Sequence, residues 1–203
     1  MDVPSSRVID RASRAKVGRP RVASPAELER IGFELFERDG FEQTTVDDIA
    51  AAAGIGRRTF FRYFASKNDL VWGNFEEQLV YFRDHLAAVP ANVPLMRALR
   101  ETVVEFNNFD HDVVPWHRRR MELILRVPAL RADSTLRYDS WRELITDFAA
   151  ERTGVAASAP EPRLIGHLAL AASITAYELW LDDESVDLSD ALNATYRRLE
   201  TGF

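Results

Sequence analysis

The chain has 203 residues, 46% of them hydrophobic, and no cysteine; that is enough apolar surface for a sizeable core, and it excludes disulfide frameworks, zinc-thiolate clusters and thiol nucleophiles. The formal net charge of −6 argues against a polyanionic partner only until its distribution is read: residues 1–72 carry 12 basic and 11 acidic side chains, the remainder 14 and 21, so the acidity belongs to the C-terminal part. No apolar run of membrane-spanning length and no N-terminal signal segment is read, and the expectation is a soluble protein of the reducing cytoplasm.

Residues 1–23 hold Arg7, Arg11, Arg14, Lys16, Arg19 and Arg21 against Asp2 and Asp10, and read as a flexible basic arm. Such an arm is either a solvated tail or, ahead of a DNA-binding unit, a strap along phosphates or into a minor groove. Ser24-Pro25-Ala26-Glu27 then supplies an N-cap, a proline at the first helical position and a glutamate three residues after the cap. Helix 1 starts there, with Leu28, Ile31, Leu35 and Phe36 on one stripe and Gly40 as its stop.

A second cap at Thr44 or Thr45 opens helix 2, whose inward face is Val46, Ile49, Ala50 and Ala53. Ala52-Ala53-Gly54-Ile55-Gly56 turns the chain, and helix 3 follows over residues 57–64. At about 100° per residue, Phe60, Tyr63 and Phe64 fall on the packing side, while Arg57, Arg58, Phe61 and Arg62 fall on the other. A basic exposed face, a glycine turn and an aromatic anchor together point to a DNA-reading helix-turn-helix.

Ser66 caps the next helix, which the apolar spacing of Leu70, Phe75, Leu79, Phe82 and Leu86 extends over residues 67–88. Pro90 and Pro94 end it. Further helices are expected over residues 94–110, before Pro128, and after a cap at Ser134, followed by a loop over residues 153–162. Residues 164–181 are apolar almost all round and need cover on more than one side. Residues 188–199, with Leu188, Ala191, Leu192, Thr195 and Leu199, make their natural partner, and two such pairs across a two-fold axis would form a four-helix dimer interface.

These residues resemble the TetR family of bacterial transcriptional regulators over nearly the whole chain. The signature lies in Phe41 through Val46, in Ile49 through Ile55, in Thr59-Phe60-Phe61-Arg62-Tyr63-Phe64 and in Ser66-Lys67-Asn68-Asp69-Leu70. Within the family the chain is most similar to the regulators associated with mycofactocin biosynthesis clusters, through Gly18-Arg19-Pro20-Arg21, Gly56 to Phe64, Asn68 to Gly73 and Arg118 to Pro128. The resemblance implies an all-α homodimer of about nine helices. Residues 1–23 would be the arm, 24–66 the three-helix DNA-binding domain, and 67–203 the helical ligand-binding and dimerisation domain. It further implies that Thr45 and Lys67 hold phosphates, while Arg57, Arg58, Thr59, Phe61 and Arg62 face the major groove, with Arg19 and Arg21 of the arm as added contacts. Phe61 stands where the family often has Tyr, and Arg58 where a small residue is common.

A ligand-responsive repressor of an operator that is near-palindromic follows as the expected function, with mycofactocin-related genes as its targets. The alternative is a dimeric helix-turn-helix or architectural protein with no small effector. A ligand pocket is expected among Phe82, Phe106, Phe109, Trp116, Met121 and Trp141, with His117 and Arg120 in a basic run that would hold the anionic part of an acyl-CoA. No catalytic constellation, cofactor motif or metal set is read; His111, Asp112 and His117 come nearest to one.

Overall fold

The computed structural model describes residues 24–202, so the basic arm, with Arg19 and Arg21, lies outside the described residues. Ten helices follow one another: α1 (Pro25–Asp39), α2 (Val46–Ala52), α3 (Arg57–Tyr63), α4 (Lys67–Trp72), α5 (Phe75–Ala88), α6 (Leu95–Phe106), α7 (Val114–Arg126), α8 (Pro128–Thr153), α9 (Pro160–Asp182) and α10 (Leu188–Thr201). No strand occurs among the described residues.

The N-terminal unit is built as its sequence dictates. Ser24 Oγ accepts the Glu27 N–H at 3.1 Å and Pro25 occupies the first turn of α1. Thr45, not Thr44, caps α2 in a reciprocal capping box with Asp48; Thr44 is buried, its hydroxyl donating to Gly40 O at 2.8 Å. At seven residues, α3 is too short to persist on propensity. It is held by Phe60, fully buried and 5.7 Å from the Phe64 ring.

Two boundaries differ from the sequence expectation. Residues 67–88 form two helices, because Gly73 breaks them at φ 61°, ψ −130°. That positive-φ backbone conformation favours glycine, and a β-carbon there would also stand 2.5 Å from Arg120 Nη1, which would have to shift. Ser134 is not a cap: α8 is entered at Pro128, and Ser134 lies buried in its interior with its hydroxyl donated back to Arg131 O at 2.7 Å. Pro128 at the first position needs no N–H partner, and Ala129, Leu130, Arg131 and Ala132 are good helix formers, so the helix starts seven residues early. α7 likewise accepts Pro115 in its first turn.

The expectation of no apolar run of membrane-spanning length is also corrected. α9 has 23 residues and a mean hydropathy of 1.4 over its most apolar window, long and apolar enough to cross a membrane by composition. Packing within the chain accounts for part of that character, with 33% of that window buried. α9 lies between α8 and α10, burying Gly166, Ala169, Ala172, Ala176 and Trp180. Its remaining outer stripe is Leu164, Leu168, Ala171, Thr175 and Leu179, all exposed. α10, capped by Asp187, buries Leu188, Ala191, Leu192 and Tyr196 against α9 and α6.

The apolar interior forms two clusters. One gathers Leu28, Phe33, Phe36, Ile49, Phe60, Leu70 and Trp72 of α1–α4 together with Ile124 of α7 and Leu130 of α8. The other joins α5, α6, α8, α9 and α10, with Phe82, Leu99, Ile145 and Tyr196 fully or almost fully buried. Phe75, Met121 and Leu125 pack against both, so α7 is a shared wall.

Candidate nucleic-acid interface and ligand cavity

The outward face of α3 carries what the sequence predicts. Arg57, Arg58 and Arg62 are exposed, Thr59 is half-buried, and Phe61 keeps 42% of its surface open. Their side chains are not equally free. Arg57 forms an exposed ion pair with Asp47 of α2 at 2.7 Å and lies over the Phe61 ring. Arg62 donates to Tyr63 Oη at 3.0 Å and lies over that ring. Arg58 has no hydrogen-bond or ion-pair partner among the described residues. An exposed pair such as Arg57–Asp47 contributes at most about 1 kcal/mol, so a phosphate or a base edge displaces it readily.

Thr45 and Lys67 are placed differently from free phosphate ligands. The Thr45 hydroxyl donates to the Asp48 carboxyl, and that bond with the one from the Thr45 N–H holds the carboxyl below the usual carboxylate range. Lys67 Nζ donates to Phe41 O at 2.5 Å and Thr44 O at 2.8 Å, and sits 4.1 Å above the Phe41 ring. Burial lowers its affinity for a proton, while Glu42 opposes the shift. Lys67 is therefore first a clamp on the loop that presents the N-terminus of α2; at most one of its three N–H groups remains for a phosphate.

Behind this head lies a cavity of about 300 Å³. Seven of the eight expected ligand residues line it: Phe106, Phe109, Trp116, His117, Arg120, Met121 and Trp141. Phe82 does not. It is fully buried and stacked on Trp141, 5.8 Å apart and 12° from parallel, so it supports the wall instead of forming it. Residues that the sequence reading missed complete the lining, among them Trp72, Tyr138 and Tyr177. Tyr177 reads as an apolar-helix residue, and only the fold brings it against a histidine 60 positions away.

The arginines of the run from His117 to Arg120 do not converge on one point. Arg118 donates to Leu181 O at 3.2 Å and lies over Trp180. Arg119 is exposed and reaches Glu37 at 3.5 Å. Of the three arginines, Arg120 alone borders the cavity, and it is paired with Glu29 at 2.5 Å while donating to Trp72 O at 3.2 Å. His117 is driven down to about 3 by burial, with Arg120 adding to the shift, and is neutral.

The polar contacts fix the tautomer of His117. The Tyr177 hydroxyl donates its one proton to Asn107 Oδ1 at 2.5 Å, and Asn107 Nδ2 donates to Val103 O at 2.8 Å. His117 Nε2, 2.9 Å from the same phenol oxygen, must then carry hydrogen and donate. Burial raises the Tyr177 phenol well above its ordinary value, so this chain of donors is uncharged. Among the described residues no group of three or more His, Asp or Glu side chains has the arrangement of a metal site.

Comparison with known proteins places both halves of the chain. Residues 31–71 match the family model described as bacterial regulatory proteins, tetR family, and residues 93–203 the one described as MftR C-terminal domain. The chain is 42% identical to the proposed mycofactocin biosynthesis transcriptional regulator MftR of Mycobacterium tuberculosis, over 90% of this chain and 92% of that one. Among solved structures, the fatty acid degradation regulator FadR of Bacillus halodurans matches at TM-score 0.61 and 17% identity, covering 88% of this chain and 95% of that one. Thermus thermophilus FadR, solved in complex with lauroyl-CoA, matches at 0.56 and 21%, covering 89% and 95%. At those identities the likeness is one of fold.

Proposed function

This chain belongs to the TetR family of bacterial transcriptional regulators, and from that premise we propose that it is a ligand-responsive repressor acting as a cytoplasmic homodimer. Residues 24–66 would read DNA, and residues 67–203 would bind the effector and dimerise. Arg57, Arg58 and Arg62 would enter the major groove, where an arginine donates two hydrogen bonds to the O6 and N7 edge of guanine. Each half-site would then contain G·C pairs. Thr45 and Lys67 would set the α2 N-terminus against phosphates, and the arm with Arg19 and Arg21 would add sequence-independent affinity.

The observation that carries the reading is the cavity behind the head. A DNA-binding protein without an effector has no need of an apolar hollow of about 300 Å³ bounded by α7, the helix whose residues also close the core of the head. A ligand that favours one spacing of the two reading helices would shift the dimer between bound and released states. Lauroyl-CoA in the Thermus thermophilus neighbour and stearoyl-CoA in the Bacillus subtilis FadR neighbour make an acyl compound the first class to try. Likeness to MftR makes mycofactocin-related genes the first targets.

Dimerisation would use the outer stripe of α9, because Leu164, Leu168 and Leu179 leave 57%, 40% and 49% of their surface open. The inner faces of α9 and α10 are already spent on each other. Selection of bound DNA from a random pool tests the whole reading. A near-palindromic site with G·C pairs in each half, released by an acyl compound, is the expected result; a site without two-fold repeat would defeat the dimer model.

A further inference from the structure

We propose that the wall of the cavity formed by His117 of α7 with Ser173 and Tyr177 of α9 is a subsite for a hydrogen-bond donor, the hydroxyl of an alcohol or phenol on an otherwise apolar ligand. This rests on the effector reading of the cavity and narrows the chemistry of what enters it.

His117, Ser173 and Tyr177 all line the hollow, and each has its hydroxyl or ring proton committed to a neighbour within the chain. Tyr177 donates to Asn107 Oδ1 at 2.5 Å, and His117 Nε2 donates to the Tyr177 oxygen at 2.9 Å. Tyr196 spends its one proton on Ala169 O at 3.0 Å, so in the 2.9 Å contact between Ser173 Oγ and Tyr196 Oη the serine is the donor. What these three side chains leave for a ligand is lone pairs.

The most available of them is on His117 Nδ1. With hydrogen on Nε2, Nδ1 of a neutral imidazole only accepts. It has no partner among the described residues, and it is not one of the partnerless atoms sealed in the interior. The rest of the ring is engaged, with Phe109 packed 4.1 Å away and Tyr177 on Nε2. Burial is deep enough to drive His117 down to about 3, yet the residue is only half-buried, so its open surface belongs to the hollow and not to bulk water. No aspartate or glutamate lines the cavity to compete for a donor. A ketone, ester or ether oxygen meets lone pairs on this wall, and a carboxylate would lose its water there without gaining a proton. A hydroxyl supplies the proton that the wall lacks. With roughly 30 Å³ for each water-sized group, a cavity of about 300 Å³ holds a ligand on the order of ten non-hydrogen atoms.

The test titrates the full chain with octane, 2-octanone and 1-octanol by calorimetry, and follows the ring nitrogens of isotope-labelled histidine by NMR. The alcohol should bind about tenfold more tightly than the ketone, and its arrival should shift the His117 Nδ1 resonance. His117→Phe should bring the two oxygen ligands to nearly equal affinity. Tyr177→Phe, which removes the oxygen that holds the His117 proton on Nε2, should do the same with the imidazole still present, because the other tautomer can then donate to the ketone. In the unaltered chain, a ketone that binds as tightly as the alcohol, or a His117 proton found on Nδ1, would overturn the subsite and leave the effector cavity standing. Failure of all three compounds to bind would overturn the cavity reading and the subsite together.

Discussion

Arg120 of α7 and Glu29 of α1 lie 2.5 Å apart, each side chain only 17% exposed, and the same guanidinium borders the cavity and holds Trp72 O at the end of α4. One side chain thus touches the DNA-binding unit, the break at Gly73 and the ligand wall. A ligand that draws Arg120 towards the cavity loosens its hold on α1, and a coupling of 1–3 kcal/mol is the usual size for such a link. Glu29→Gln should lower thermal stability by about 2 kcal/mol, below the cost of breaking a fully buried pair. It should leave DNA affinity without ligand within a few-fold, and reduce ligand-induced release at least fivefold. Operator titrations with and without effector measure both quantities; an undiminished ligand response in the variant would remove this pair from the pathway.

Arg58 and Lys67 should separate reading from positioning. Arg58 has no partner to give up, so Arg58→Ala should cost about 1–3 kcal/mol at one base pair of each half-site and little elsewhere. Lys67→Met leaves the carbonyls of Phe41 and Thr44 without their donor, which should lower stability by about 1–2 kcal/mol and weaken all sequences alike. Affinities across a panel of single-base operator variants distinguish the two patterns. Uniform losses in both proteins would erase the division of roles.

The outward face of α3 was legible in the sequence because capping, glycine turns and helical spacing are local. Ser24, Thr45, Ser66 and Phe60 act over a few residues, and each stands where its spacing puts it. The misread boundaries arise where one local signal is overruled by another residue, near or far in the chain. Ser66 and the apolar spacing beyond it suggest one continuous helix, but Gly73 takes a positive-φ conformation that ends α4, with the guanidinium of Arg120, 47 residues further on, packed against it. Ser134 has the type of a cap, yet the proline six residues earlier starts the helix. The cavity was half legible because its aromatic lining stands out in composition, whereas the fate of His117, Arg118 and Arg120 depends on Tyr177, Leu181 and Glu29, partners 60 to 91 positions distant. Three consecutive arginines look like one anion site, and helical geometry sends them to three different places.

His117 predicts an acid sensitivity. Its folded value of about 3 lies below the ordinary value near 6.5, so between those limits the unfolded chain binds a proton that the folded chain does not. Stability is therefore complete above about pH 6.5 and falls as the pH drops, by up to about 1.4 kcal/mol per unit until the folded value is reached. From pH 6.5 to 5 the loss should be roughly 2 kcal/mol. Carboxylates that titrate below pH 5 contribute little in that interval. His117→Gln, which keeps an N–H for the Tyr177 oxygen, should flatten this part of the profile. Urea denaturation at several pH values measures it, and an unchanged slope in the variant would assign the sensitivity elsewhere.

The α9 stripe carries the last prediction. Leu164, Leu168 and Leu179 are separated by four and eleven residues along one face, and no element of the described chain covers them. Burying a leucine of this kind contributes about 1.5–3 kcal/mol, so a two-fold contact that covers the stripe on both copies counts each of them twice. Leu168→Glu places two carboxylates near the axis. It should convert the dimer to a monomer at micromolar concentration, and leave the helical signal and thermal unfolding of the monomer close to those of the unaltered chain, because the position is already exposed within one protomer. Operator affinity should fall by at least a hundredfold, since each half-site is then held by a single head of nearly neutral net charge. Sedimentation and DNA titration on the same sample separate the two effects. A variant that remains dimeric would move the interface off α9, and a monomer that still binds the full operator tightly would show that pairing is not what holds the two reading helices in register.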